Sequence, residues 1–305
     1  APSARRRADG LPERAMTDTT KTKVLVVDDS ALVREAWRDL IESCDDLELM
    51  AAAPDPFVAA QKMRKAKPDV IVLDIEMPKM DGLTFLKRLM AQHPLPVVIC
   101  SGLADRSRKA SFRALELGAL EIVPKEAITR KGEARNQAIH ALRSAARSRL
   151  RRKTKLQAPV YAEPKHSADA VLPPFKPERA YRGKTAPVVA IGASTGGTEA
   201  LQVVLASLEP TSPGVVIVQH MPVAFTASFA ARLDAMCAVE VKQACSGDRV
   251  APGRVLLAPG DRHMLLRRGG DTYSVELRDG PPVSRHKPSV DVLFRSAARY
   301  AGKNA

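Results

Sequence analysis

The chain reads as an α/β protein of two consecutive units. The first is a doubly wound, five-stranded parallel sheet, and the second is an α/β unit on a mostly parallel sheet. Two observations predict this. From Lys23 to about Leu150, apolar runs of strand length alternate with helical patterns, the rhythm of parallel strands joined by crossover helices. After Pro187 the rhythm resumes, and at 305 residues there is room for two separate cores.

The elements follow in order. Val-Leu-Val-Val over 24–27 is the first strand, and the apolar runs 47–51, 70–73, 97–100 and 121–123 are the next four. Helical patterns fill the gaps at 30–42, 56–66, 81–92, 107–117 and 136–149, the last with Ile139, Leu142 and Leu150 on its inner stripe. In the second unit a buried strand over 188–192 leads through a Gly-rich turn into a helix over 198–208. A second buried strand over 215–222 carries His220 at its carboxyl end, and an amphipathic helix over 225–236 follows. The expected division is an N-terminal extension (1–21), a first domain (22–150), a basic proline-containing linker (151–186) and a second domain (187–305). The linker is read as an extended tether because Pro159, Pro164, Pro173, Pro174 and Pro177 interrupt any regular element.

A net charge of +14 invites a nucleic-acid partner, but its distribution argues against one. Residues 130–187 hold 15 Lys/Arg against 4 Asp/Glu, so most of the excess lies in that connecting stretch and the N-terminal tail rather than on one face of a folded domain. No apolar run reaches 18 residues, so no membrane insertion is expected. Cys44, Cys100, Cys237 and Cys245 lack metal-ligand spacing and read as buried free thiols of a reducing cytoplasm. Residues 1–15 lack the apolar centre of a signal peptide; they read as sequence upstream of a start at Met16, and the far end reads as cut short after a helix.

Polar residues gather where sites form in such sheets, at the carboxyl ends of the strands. Asp28 and Asp29 follow the first strand, Asp74 ends the third, Ser101 ends the fourth and Lys125 follows the fifth. Converging carboxylates repel unless a cation joins them, and an all-oxygen set suits Mg²⁺. Val-Leu-Val-Val-Asp28-Asp29-Ser and Asp74-Ile-Glu-Met-Pro78-Lys-Met-Asp-Gly82 resemble the receiver domains of two-component response regulators, a flavodoxin-like fold. The resemblance implies Asp74 as phospho-acceptor, with Asp28, Asp29, Asp74 and the backbone of Glu76 around Mg²⁺. It also implies Ser101 and Lys125 as phosphate-sensing groups and a histidine kinase as phosphodonor. Two positions depart from the pattern: Ile122 stands where an aromatic is usual, and Glu126 where proline follows the lysine.

In the second unit Ser194 sits in the strand-to-helix turn, beside backbone N–H groups that can stabilise an oxyanion. If the two strands are neighbours, Ser194 and His220 share one rim, and the imidazole can take the serine proton. His263 and His286 compete for that role; their surroundings read as loops lining the site or shaping access to it. Ala190-Ile-Gly-Ala-Ser194-Thr-Gly-Gly, Gln219-His220-Met-Pro, Ala258-Pro-Gly-Asp-Arg-His263-Met and Pro288-Ser-Val-Asp-Val-Leu-Phe resemble the catalytic domain of the CheB family. That resemblance implies a phosphorylation-activated protein-glutamate methylesterase of bacterial chemotaxis, with glutamine deamidase activity, acting on chemoreceptors. Ser194 maps onto the nucleophile and His220 onto the base, with no cofactor in this domain. The unphosphorylated receiver is expected to cover the site.

The family's third catalytic residue is an aspartate in a Gly-Met-Gly-x-Asp-Gly motif, and the 305 residues contain none; Asp248, Asp261, Asp279 and Asp291 do not match it. Low activity of these 305 residues is therefore expected. The alternative is a non-catalytic, phospho-dependent regulator that binds receptors.

Overall fold

The structure is a computed structural model that describes residues 21–78, 80–129, 132–150, 166–172 and 186–305. The expected N-terminal extension, apart from residue 21, and most of the expected linker lie outside these residues.

The first sheet contains β1 (Thr22–Val27), β2 (Leu47–Ala53), β3 (Val70–Asp74), β4 (Val97–Ser101) and β5 (Glu121–Pro124). Their order is β2-β1-β3-β4-β5, and every pairing is parallel. Both faces are covered, which explains the unbroken apolar strands. Val24, Val26, Val70 and Val72 pack with Trp37, Leu40 and Ile41, while Leu25, Val27, Ile71 and Leu73 pack with Leu86 and Leu89 on the other side.

The intervening helices are α1 (Ala31–Glu42), α2 (Pro56–Lys65), α3 (Gly82–Gln92), α4 (Asp105–Glu116), α5 (Lys125–Thr129) and α6 (Glu133–Leu150). Ser30, Asp55 and Asp81 cap the first three, each accepting hydrogen bonds from backbone N–H groups of the first turn. The short helix α5 was not foreseen. It begins at Lys125, and Glu126 in its first turn suits the positive end of the helix dipole where proline was expected.

The second unit builds a four-stranded parallel sheet in the order β6-β7-β10-β8 from β6 (Val188–Ala193), β7 (Gly214–Gln219), β8 (Glu240–Gln243) and β10 (Arg254–Leu257). Helices α7 (Gly197–Ala206) and α8 (Val223–Met236) follow β6 and β7. A separate antiparallel sheet orders β11 (His263–Gly269), β12 (Thr272–Arg278) and β9 (Arg249–Val250). Its hairpin closes on Gly270-Asp271, with Gly270 at φ +60° as a tight two-residue turn requires. Helix α9 (Val290–Tyr300) packs on β11 and β6.

The expectation that the surroundings of His263 form a loop near the site holds for residues 258–262, where Gly260 and Asp261 line a cavity with Pro222 and Val223, but not for His263 itself. His263 opens β11 and is wholly buried. Its Nδ1 accepts from the Ser289 N–H at 3.2 Å, and its Nε2 donates to the Pro281 carbonyl at 3.0 Å. It is a structural histidine joining three segments. The thiol expectation is also corrected in part: Cys44 and Cys100 are buried, Cys237 is half-buried and Cys245 is exposed.

Residues 166–172 dock on the second unit. Ala168, Val171 and Leu172 pack with Leu265, Val283 and Val292, and Arg278 donates to the Val171 carbonyl at 2.7 Å. The two units also share an apolar contact. Phe112 of α4 stacks on Phe229 (5.9 Å, 12°) and meets the edge of Phe225 (5.8 Å, 72°), both on α8. Beside them Arg232 pairs with Glu116. This contact sets the end of the first sheet over the turn that follows β6.

Candidate active site

Register decides the geometry of the second unit's site. Ala193 of β6 pairs with Gln219 of β7, so the next residues, Ser194 and His220, emerge side by side. The His220 N–H donates to the Ala193 carbonyl at 3.2 Å, and Ser194 Oγ lies 3.2 Å from His220 Nδ1. The turn then closes sharply. Gly196 sits at φ +76°, and a Cβ on Gly197 would stand 2.2 Å from Gln219 Oε1, so neither position tolerates a side chain.

Gln219 was missed by sequence reasoning. Its Nε2 donates to the carbonyls of both Ser194 (3.2 Å) and His220 (3.0 Å), tying nucleophile and base together. The only sequence signal was a polar residue ending an otherwise apolar strand.

The His220 ring lies flat on His286 (3.7 Å, 12°), and His140 of α6 meets His286 edge-on (4.5 Å, 89°). His286 therefore does line the site, as expected. Burial pushes the His220 pKa down to about 4; His140 adds to the shift, and Asp291 opposes it. The ring is thus a neutral base at neutral pH. Glu121, Arg285 and Lys287 line the same cavity.

The reactivity of Ser194 should fall as pH drops through about 4 in the unphosphorylated chain, because a protonated ring cannot accept the serine proton. If separation from the first domain exposes the ring, that inflection should move up toward the ordinary value of about 6.5. Rates of Ser194 modification against pH, with and without a phosphodonor, check this; an inflection near 6.5 in the unphosphorylated chain contradicts it.

His220 Nε2 is buried and makes no hydrogen bond among the described residues. The four aspartates considered for the third role are placed elsewhere or differently engaged. Asp248 holds Lys242 and the Cys245 N–H, Asp279 pairs with Lys287, Asp291 accepts from Ser284, and Asp261 lines a neighbouring cavity.

A second constellation lies at the carboxyl end of the first sheet. Carboxylate oxygens of Asp28, Asp29 and Asp74 lie within 4.8 Å of one another. Asp28, Asp74 and Ser101 are buried, and Asp29 is exposed. Lys125 Nζ sits 2.7 Å from Asp74 Oδ2 and 3.0 Å from Asp28 Oδ2. The Glu76 N–H donates to Asp74 Oδ1 at 3.2 Å, and Ser101 Oγ donates to the Gly102 carbonyl at 3.3 Å. Burial raises the pKa of both Asp28 and Asp74 against the pull of Lys125. Crowded buried carboxyls with hard oxygen donors fit a small divalent cation, which would relieve their repulsion. Gly82 lets α3 close over this site: a Cβ there would lie 2.2 Å from the Asp74 carbonyl oxygen.

Residues 24–135 match the response regulator receiver domain, and residues 189–305 match the CheB methylesterase domain. A protein-glutamate methylesterase/protein-glutamine glutaminase of Anaeromyxobacter dehalogenans is 55% identical over 298 residues, which cover 97% of this chain and 82% of the relative. One from Geobacter metallireducens is 54% identical over 289 residues, covering 93% of this chain and 81% of the relative. A Xanthomonas oryzae relative with the same description is 51% identical over 285 residues, or 92% and 81% of the two chains.

Proposed function

The chain belongs to the CheB methylesterase family with an N-terminal receiver domain, and from that premise we propose that it is a phosphorylation-activated protein-glutamate methylesterase of chemotaxis. The observation that carries the reading is the 3.2 Å approach of Ser194 Oγ to His220 Nδ1 at one sheet rim. Ser194 Oγ attacks the carbonyl of a γ-glutamyl methyl ester on a methyl-accepting receptor while His220 Nδ1 takes its proton. The proton passes to the leaving methoxide, which departs as methanol. Water, deprotonated by the same ring, then frees the glutamate and restores Ser194. A glutamine side chain follows the same course and releases ammonia, which is the glutaminase activity. The N–H groups of the turn before α7 stabilise the developing oxyanion.

In the receiver, residues 22–150, Asp74 accepts phosphate from a chemotaxis histidine kinase. Mg²⁺ held by Asp28, Asp29, Asp74 and the backbone of Glu76 would neutralise the incoming phosphate. Lys125 and Ser101 bind the phosphoryl oxygens once they are in place. The esterase domain, 187–305, needs no cofactor, and the basic segment 151–186 links the two. No described helix is long and apolar enough to cross a membrane, and cytoplasmic work on the receptors' inner helices suits the proposed partners; nucleic acid is not among them.

Ser194→Ala tests the reading. In serine hydrolases, loss of the nucleophile costs about 10⁶-fold in turnover and loss of the acid alone about 10⁴-fold. A chain whose His220 Nε2 has no hydrogen-bond partner among the described residues should therefore retain about two orders of magnitude of Ser194-dependent methanol release. Equal release by Ser194→Ala would end the esterase reading. That same unpartnered nitrogen favours a second reading, a phospho-dependent receptor-binding regulator without catalysis, which predicts receptor binding and no Ser194-dependent methanol.

A further inference from the structure

The receiver meets the nucleophile turn through Leu120, which precedes β5, and Glu121, which opens it. The Leu120 carbonyl accepts from the Gly196 N–H at 3.5 Å, and Glu121 Oε2 accepts from Thr195 Oγ1 at 3.2 Å. Thr195 and Gly196 directly follow Ser194, and Glu121 lines one cavity with His220. An N–H that holds a receiver carbonyl cannot serve an oxyanion on a substrate. The carboxyl beside it is the side chain of glutamate, the product of the proposed reaction.

We propose that Glu121 occupies the subsite for the substrate's glutamyl side chain, so that the docked receiver is an internal product mimic competing directly with receptor glutamyl esters. This rests on the methylesterase reading and extends it to how the site is closed. It assigns Thr195 Oγ1 and the Gly196 N–H as groups that recognise the glutamyl carboxyl or ester. Burial pushes the Glu121 carboxyl up to about 7, opposed by its hydrogen bond from Thr195. Near neutral pH about half of such carboxyls are uncharged, and the uncharged form resembles the ester more closely than a carboxylate does. Arg285 and Lys287 share the cavity, and once the receiver is released these two cations would also favour acidic receptor helices. Release by phosphorylation would then vacate a subsite already shaped for a glutamyl side chain.

The experiment uses the whole chain without phosphodonor and measures how fast a small fluorophosphonate modifies Ser194. Glu121→Ala, and Glu121→Asp, which withdraws the carboxyl by one methylene, should each label at least about 10-fold faster than the parent. Glu121→Gln, which keeps the length and resembles the glutaminase substrate, should label like the parent. Saturation with methylated receptor should show a lowered KM and unchanged kcat for Glu121→Ala in the unphosphorylated state. Parent-like labelling of both shortened variants, while an acyl phosphate still accelerates the parent, overturns the plug and leaves the esterase reading intact. Equal opening by Glu121→Gln also overturns it. No adduct on Ser194 in any chain overturns the esterase reading and the plug together.

Discussion

The 305-residue chain should release methanol from methylated receptors about 10⁴-fold more slowly than a serine hydrolase whose histidine is held by a carboxylate. The cause is local. To accept the Ser194 proton, Nδ1 must be bare, so the ring must carry its own proton on Nε2. That nitrogen is buried and has no acceptor among the described residues. No described residue accepts a hydrogen bond from Nε2, so neither the tautomer nor the imidazolium that follows has the partner that a triad carboxylate supplies, and Asp291 favours the cation only through its charge. Stacking on His286 holds the plane of the ring but supplies no charge. Against a common turnover of about 10 per second, the expectation is on the order of 10⁻³ per second. Steady-state methanol release from phosphorylated chain and saturating receptor checks it, and turnover above about 1 per second contradicts it.

Phe112→Ala should open the receiver without phosphorylation. Phe112 is 5% exposed and packs against two rings of the other domain, Phe225 and Phe229. Truncating a buried phenylalanine costs about 3–5 kcal/mol. Because these contacts cross between domains, most of that loss falls on docking rather than on either fold. Converted at about 1.4 kcal/mol per tenfold, it shifts the docked-to-released ratio by at least two orders of magnitude. The rate of Ser194 modification in the unphosphorylated variant should approach that of the phosphorylated parent. Phosphorylation of Asp74 at a normal rate would show that the receiver still folds. Parent-like protection of Ser194 in this variant would mean that docking is held by other contacts.

Much of this was legible in the sequence because parallel strands buried on both faces leave an unmistakable pattern. The strands read at 24–27 and 70–73 end within two residues of β1 and β3, and strand-end placement alone brought Asp28, Asp74 and Lys125 together. Ser194 and His220 were paired on one assumption, that β6 and β7 are neighbours, and the register bears it out. The second half of the esterase domain was harder. Strands of two to four residues, such as β8, β9 and β10, are too short to show a period. His263 looked like a site residue because its role depends on the carbonyl of Pro281 and the N–H of Ser289, both distant in sequence. Gln219 and Glu121 were missed for the same reason: each acts through a partner that only the packing of strands or domains supplies.

The most direct test of the central claim is peptide mass spectrometry after treatment with a serine-directed fluorophosphonate, with and without Mg²⁺ and an acyl phosphate. A single adduct on Ser194, formed faster with the phosphodonor and lost in His220→Ala, is the predicted result. An adduct on another serine, or one on Ser194 indifferent to both His220 and the phosphodonor, would contradict it.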